Sequence, residues 1–216
     1  MKLLLTSAGI QNESIAQAVL DLVGLPTEKI KMVFIPTAAN VEEGDKGWLI
    51  DDLRHFQEQG YESIDIIDIA AVRKEVWLPR LEDANLICFG GGNEQFLARI
   101  LRESGLEEVL PELLKTRVYM GISAGSMVAG EILSPDLLKA VYPDNNFEGD
   151  LEPTLGFVDC NFIPHLNSPH FPRATKEVLE SVKDPGIPLY GLDDQSALKV
   201  IGGEIGVVTE GETYVK

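Results

Sequence analysis

Through roughly the first 125 residues, short wholly apolar runs alternate with longer stretches whose apolar residues recur every three or four positions. A run of four to six apolar residues bounded by turn formers has the length of a buried strand, and the three-to-four spacing has the period of an amphipathic helix. The pattern predicts strands over 2–7, 31–36, 63–69, 85–89 and 117–121. Between them it predicts helices over 12–23, 47–59, 72–81 and 94–114, the last broken at Gly105. Strictly alternating strands and helices imply an α/β fold: a parallel sheet sandwiched between helices on both faces. In such a sheet, ligands gather beyond the carboxyl ends of the strands. The turns there are Ser7-Ala8-Gly9, Pro36-Thr37-Ala38-Ala39, Gly90-Gly91-Gly92-Asn93 and the small residues after Met120.

Beyond Gly130 the period is lost. Residues 133–156 are turn-rich and acidic, with Ser134-Pro135-Asp136 and Tyr142-Pro143-Asp144-Asn145-Asn146, and read as a surface excursion over the sheet edge that could border a substrate. An apolar run at 160–164, a helix over 173–182 and a strand over 187–192 follow. The last twenty residues, with Gly202-Gly203 and Glu210-Gly211 between apolar segments, read as antiparallel β-hairpins. No internal repeat or linker is visible, and 216 residues suit a single domain spanning 1–216.

The most informative stretch is Gly121-Ile122-Ser123-Ala124-Gly125, which follows the strand Val118–Met120. Glycines two before and two after a serine remove the side chains that a strained strand-to-helix elbow would crowd, leaving the hydroxyl at its tip. There the N–H of Ala124 and the start of the helix point where an oxyanion would form. A packing turn without chemistry is the other reading of the same residues. Gly90-Gly91-Gly92-Asn93 is followed by no Gly-Lys-Ser/Thr and lacks the Gly-x-Gly-x-x-Gly spacing, which argues against a nucleotide cradle. A second oxyanion donor, from the N–H of Gly91 or Gly92, is the functional alternative to a plain tight turn.

Charge narrows the partners. With 35 acidic against 18 basic side chains, the formal net charge is −17, which repels nucleic acid and anionic membranes. No apolar segment has the length of a membrane span, and residues 1–7 fit a buried first strand better than a signal peptide, so a cytoplasmic protein is expected. Cys88 and Cys160 form no Cys-x-x-Cys pair and read as buried thiols. The three histidines make no spaced ligand cluster, so neither metal nor cofactor is expected. A serine nucleophile needs a base that titrates near neutrality, which is histidine. His55 lies on a helix and reads as a surface residue; His170, flanked by Pro169 and Pro172 in a rigid loop, is the favoured base over His165, which reads as a core or supporting hydrogen-bonding group. For the acid, Asp194 follows an apolar strand and is preferred; Asp136 is the rival, and Asp144 and Asp193 are further candidates.

These segments together resemble peptidase family S51, which includes aspartyl dipeptidases and cyanophycinases. The resemblance covers nearly the whole chain and rests on Gly90-Gly91-Gly92-Asn93, Gly121-Ile122-Ser123-Ala124-Gly125-Ser126, Pro169-His170-Phe171 and Gly191-Leu192-Asp193-Asp194. It implies a fold like that of class I glutamine amidotransferases (flavodoxin-like), with Ser123 as nucleophile and His170 as base. The aspartyl dipeptidases carry glutamate where Asp194 stands, and the loop after His170 is shorter here. An arginine at the matching helix start implies Arg173 as a binding residue for an N-terminal aspartate. The expectation is a serine peptidase acting on short peptides through an acyl-enzyme, with N-terminal aspartate as a candidate specificity. The alternatives are an amidase or isopeptidase on aspartyl-linked substrates, and a non-catalytic small-molecule binding domain.

Overall fold

A computed structural model describes residues 1–143, 151–184 and 186–216. Five strands alternate with helices in its first part: β1 (Lys2–Thr6), β2 (Lys31–Ile35), β3 (Ser63–Ile66), β4 (Leu86–Phe89) and β5 (Val118–Ile122). The helices between them are α1 (Glu13–Val23), α2 (Gly47–Glu58), α3 (Lys74–Asp83), α4 (Glu94–Glu103) and α5 (Leu106–Leu113). Glycine at 105, at φ +72°, separates the last two, as the sequence predicts. The remaining elements are α6 (Ala124–Met127), α7 (Pro135–Val141), β6 (Asn161–Ile163), α8 (Lys176–Ser181), β7 (Leu189–Leu192), β8 (Ser196–Ile201), β9 (Glu204–Thr209) and β10 (Thr213–Val215).

The main sheet has the order β3-β2-β4-β5-β1-β8-β9. Its first five strands are mutually parallel, and β8 and β9 are added antiparallel at one edge. Because successive strand residues point to opposite faces, each strand feeds two cores. Met32 and Phe34 of β2, Leu86 and Cys88 of β4, and Val118 and Met120 of β5 pack with Ile15, Val19 and Leu22 of α1 and Phe56 of α2. Val33, Ile35, Ile87, Phe89 and Tyr119 pack on the other side with Trp77 of α3, Leu97 and Leu101 of α4 and Leu106 and Leu110 of α5. Burial on both faces explains why these strands read as continuous apolar runs rather than alternating ones.

Three expectations need correction. The segment after residue 133 is not wholly a surface excursion: 135–141 is helix α7, capped by Ser134 Oγ accepting from the Leu137 N–H at 3.2 Å, with Leu137, Leu138 and Val141 in the core. The C-terminus is one hairpin, β8–β9, turning at Gly202 and Gly203 with φ of +61° and +94°; β10 then leaves it. It joins a separate three-stranded sheet, β10-β7-β6, in which β6 and β7 are parallel. The helix predicted from residue 173 begins at Lys176, behind a Thr175 side-chain cap.

Candidate active site

The elbow at the end of β5 is as tight as its glycines require. Ser123 sits at φ +50°, ψ −111°, a conformation uncommon for a residue with a side chain. A Cβ at Gly121 would come 2.5 Å from the Gly125 carbonyl oxygen, and one at Gly125 would overlap the carbonyl of Phe89. The turn is fastened from below: Tyr119 Oη donates to Gly125 O at 2.5 Å, Ser126 Oγ to Thr6 O at 2.8 Å and Thr6 Oγ1 to Gly121 O at 2.7 Å. Strain at Ser123 is thus over-determined by its surroundings, the condition under which such conformations persist.

The main sheet supplies the serine and the small sheet supplies the rest. β6 and β7 are parallel neighbours with Ile163 opposite Gly191, so the residues just past both strands emerge at one edge. His165 lies two residues beyond β6 and Asp194 two beyond β7. His165 Nε2 is 3.0 Å from Ser123 Oγ, and its Nδ1 is 2.6 Å from Asp194 Oδ1. The Asp194 contact fixes the tautomer: with Nδ1–H donated to a carboxylate, Nε2 presents a lone pair to the serine. Phe171 stacks on the imidazole with centroids 4.4 Å apart and planes within 8°, and Tyr142 meets Phe171 edge-on at 6.2 Å. The ring plane is therefore set from its face as well as its edge. Burial alone would raise the Asp194 carboxyl, but hydrogen bonds from His165 and Ser7 and the neighbouring histidine charges hold it below its ordinary value.

The favoured histidine of the sequence reading is corrected here. His170 is exposed in the loop beyond Asn167, its N–H contacts only Ser168 Oγ at 3.4 Å, and it makes no hydrogen bond to Ser123. Its charge reaches Asp194 electrostatically but not the nucleophile. The prolines around it fix a backbone, yet a rigid loop is no use without direction; the direction comes from β6, and it favours the residue nearest the strand. His55 is half-buried on α2 beside Gln11.

The acid candidates separate as cleanly. Asp136 is exposed in the first turn of α7 with no hydrogen bond to His165, and Asp144 lies outside the described residues. Asp193 makes no hydrogen bond to His165 and ties the loop together, accepting from Ser196 Oγ at 2.5 Å, Gln195 N–H at 3.0 Å and Glu212 N–H at 2.5 Å. Arg173 is exposed, and its Nε donates to Ala140 O at 3.1 Å.

Around Ser123, the proposed oxyanion donors differ in placement. The Ala124 and Gly91 N–H groups donate to no other group among the described residues. A Cβ at Gly91 would stand 3.5 Å from both Ser123 Cβ and the Trp48 ring, so Gly91 directly flanks Ser123. Gly92, at φ +130°, is wedged where a Cβ would overlap the Ala38 carbonyl, and serves the close approach of the loop to 38–39. Sequence reasoning missed Trp48, a partly exposed ring beside the site, and Ser7, whose hydroxyl joins the histidine to the acid. Apart from these, Glu94 is buried at the start of α4 with Oε1 unpartnered among the described residues, its carboxyl raised chiefly by burial. Only Ser7 carried a sequence signal, as the end of a predicted strand and the start of the turn Ser7-Ala8-Gly9 at the carboxyl edge of the sheet.

A mostly parallel α/β sheet carries a strained serine elbow whose hydroxyl is linked through His165 to a carboxylate. The model of peptidase family S51 matches residues 3–208, and the chain belongs to that family. It is similar to an uncharacterized peptidase of Listeria monocytogenes, at 24% identity over 81% of this chain and 83% of the relative. It is also similar to Peptidase E of Streptomyces coelicolor, at 32% over 58% of this chain and 52% of that protein, and to a probable alpha-aspartyl dipeptidase of Drosophila melanogaster, at 34% over 56% and 52%. The fold matches a crystal structure of a provisionally assigned Peptidase E from Listeria monocytogenes, with a TM-score of 0.76, 22% identity and coverage of 97% and 98%. The chain is a peptidase.

Proposed function

We propose that this chain is a serine peptidase that cleaves short peptides through a covalent acyl-enzyme. The observation that carries the reading is the continuous hydrogen-bonded line from Ser123 Oγ through His165 to Asp194. As Ser123 Oγ attacks the scissile carbonyl carbon, its proton passes to His165 Nε2, and Asp194 stabilises the imidazolium that results. The carbonyl oxygen becomes an oxyanion held by the N–H groups of Ala124 and Gly91. His165 returns the proton to the leaving amine, and the C–N bond breaks to leave an ester on Ser123. A water then gives its proton to His165 and attacks that ester, releasing the acid and restoring the serine hydroxyl.

Preference for an N-terminal aspartate is the candidate specificity, and the similarity to the probable alpha-aspartyl dipeptidase of Drosophila melanogaster supports it. Arg173 is the candidate contact: it forms no ion pair among the described residues, and a guanidinium can hold a carboxylate with two parallel hydrogen bonds. The test is a fluorophosphonate probe together with a dipeptide panel. Ser123 is expected to be labelled, and Ser123→Ala to lose labelling and hydrolysis while melting at the parental temperature. Hydrolysis that survives in Ser123→Ala would overturn the serine mechanism, and absence of both labelling and hydrolysis in the parent would favour a non-catalytic binding role.

A further inference from the structure

We infer that Ser7, the first residue beyond β1, is a positioning residue that holds the histidine and the acid in register. The inference rests on the serine-peptidase reading above. Ser7 is completely buried, a costly place for a hydroxyl unless its hydrogen bonds are made. Both are made to the site: Ser7 Oγ accepts the backbone N–H of His165 at 2.7 Å and donates to Asp194 Oδ1 at 3.2 Å. The same Asp194 oxygen receives His165 Nδ1–H, so it accepts two hydrogen bonds, and a third joins the His165 N–H to Ser7 Oγ.

Each end of this bridge has something to hold. His165 adopts φ +61°, a left-handed conformation that a side chain disfavours, and that persists only where neighbours enforce it. Ser7 Oγ on its own N–H and Leu192 O on the next N–H, at 2.9 Å, supply that enforcement. At the other end, the Asp194 side chain is 41% exposed, on a loop beyond a four-residue strand, and water competes for its oxygens. A donor from the buried side selects the rotamer that faces His165. Ser7 is itself fixed, since β1 pairs with both β5 and β8 and the Ser7 N–H donates to Ser196 O at 3.2 Å. The hydroxyl thus transmits the position of the main sheet, which carries Ser123, to the small sheet, which carries His165 and Asp194. It touches no reacting atom.

The experiment is a double-mutant cycle read by kcat and KM on a dipeptide that the parent cleaves. Ser7→Ala is expected to lower kcat by about tenfold to a hundredfold, the scale of losing a hydrogen bond to a charged group, with KM nearly unchanged. Because the acid's half of the bridge is already lost in an Asp194→Asn background, the same change there is expected to cost at least about threefold less than in the parent, the remainder being the contact to the His165 N–H. A merely structural hydroxyl would cost the same factor in both backgrounds, and that result, or a parental kcat in Ser7→Ala, would overturn the proposal. Ser7→Cys, similar in size but a weak donor and acceptor, carries the same cycle if Ser7→Ala does not fold. Activity surviving in Ser123→Ala would instead overturn the underlying reading and this proposal with it. An inactive Ser123→Ala with equal Ser7→Ala losses overturns this proposal alone.

Discussion

At the scale of single residues, the two histidines five positions apart are the sharpest contrast in the molecule. His165 has both ring nitrogens engaged, with Ser123 at 3.0 Å and Asp194 at 2.6 Å, whereas His170 is exposed. His165→Ala is expected to lower kcat by about four orders of magnitude or more, as loss of a triad base does elsewhere. His170→Ala is expected to stay within about fivefold, because an exposed charge acting on Asp194 is screened by solvent. Steady-state kinetics on one dipeptide decides between them, and the reverse order of losses would restore His170 as the base. Arg173 is tested by a ratio. Arg173→Ala is expected to reduce kcat/KM for Asp-Leu more than for Ala-Leu, by about tenfold or more, since a charge-assisted pair is at stake; an unchanged ratio would place the specificity elsewhere.

At the scale of elements, helix α2 carries a liability. Asp52 is buried with no hydrogen bond among the described residues, against the loop at Gly9, and burial pushes its carboxyl from 3.8 up to about 7. A carboxyl that holds its proton more tightly when folded favours the folded state at low pH. That advantage is present below about pH 4 and is lost as pH rises to about 7, beyond which the charged form costs a constant amount. Asp52→Asn is therefore expected to raise Tm by about 10 °C or more at pH 8, at about 1.4 kcal/mol per pKa unit, and to leave it nearly unchanged at pH 4. Thermal melts at the two pH values check this, and equal shifts at both would show that packing rather than ionisation is involved. At the elbow, by contrast, the polar groups are paired: Gly125 and Ser126 of the short helix α6 are tied to Tyr119 of β5 and Thr6 of β1, which holds the strain at Ser123.

At the scale of the whole molecule, the site is a junction of two sheets. The small one depends on the last residues of the chain: β10 pairs with β7, and Lys216 exchanges backbone hydrogen bonds with Leu189 at 3.0 Å. Lys216 Nζ also donates to the Val182 carbonyl just past α8 at 2.7 Å. Removing residues 213–216 is expected to loosen β7 and the Asp194 turn while leaving the parallel sheet folded, so kcat should fall by about tenfold or more, as loss of the acid's orientation requires. Hydrogen exchange over 189–196 should rise in parallel, and unchanged exchange with unchanged kcat would show that β10 is dispensable. No helix among the described residues is long and apolar enough to cross a membrane.

Much of this was legible in the sequence, for a definite reason. Strands buried on both faces must be apolar throughout and their covering helices must be amphipathic, so β1, β2, β4, β5 and the helices between them are written in local composition. The elbow was legible too, because Gly121 and Gly125 sit where any Cβ would strike backbone. Local pattern also gave Asp194 its place, past a recognisable strand. What it could not give was the partner of Ser123. His165 and His170 share a short proline-flanked segment, and choosing between them depends on β6 pairing with β7 rather than on any residue beside them. Nor could periodicity show that β10 abandons the hairpin for that second sheet, since its side chains alternate equally well on either. The sequence by itself determined the main sheet and its serine elbow; the tertiary structure decided which histidine meets Ser123, because strand pairing between distant segments sets the edge at which a histidine emerges.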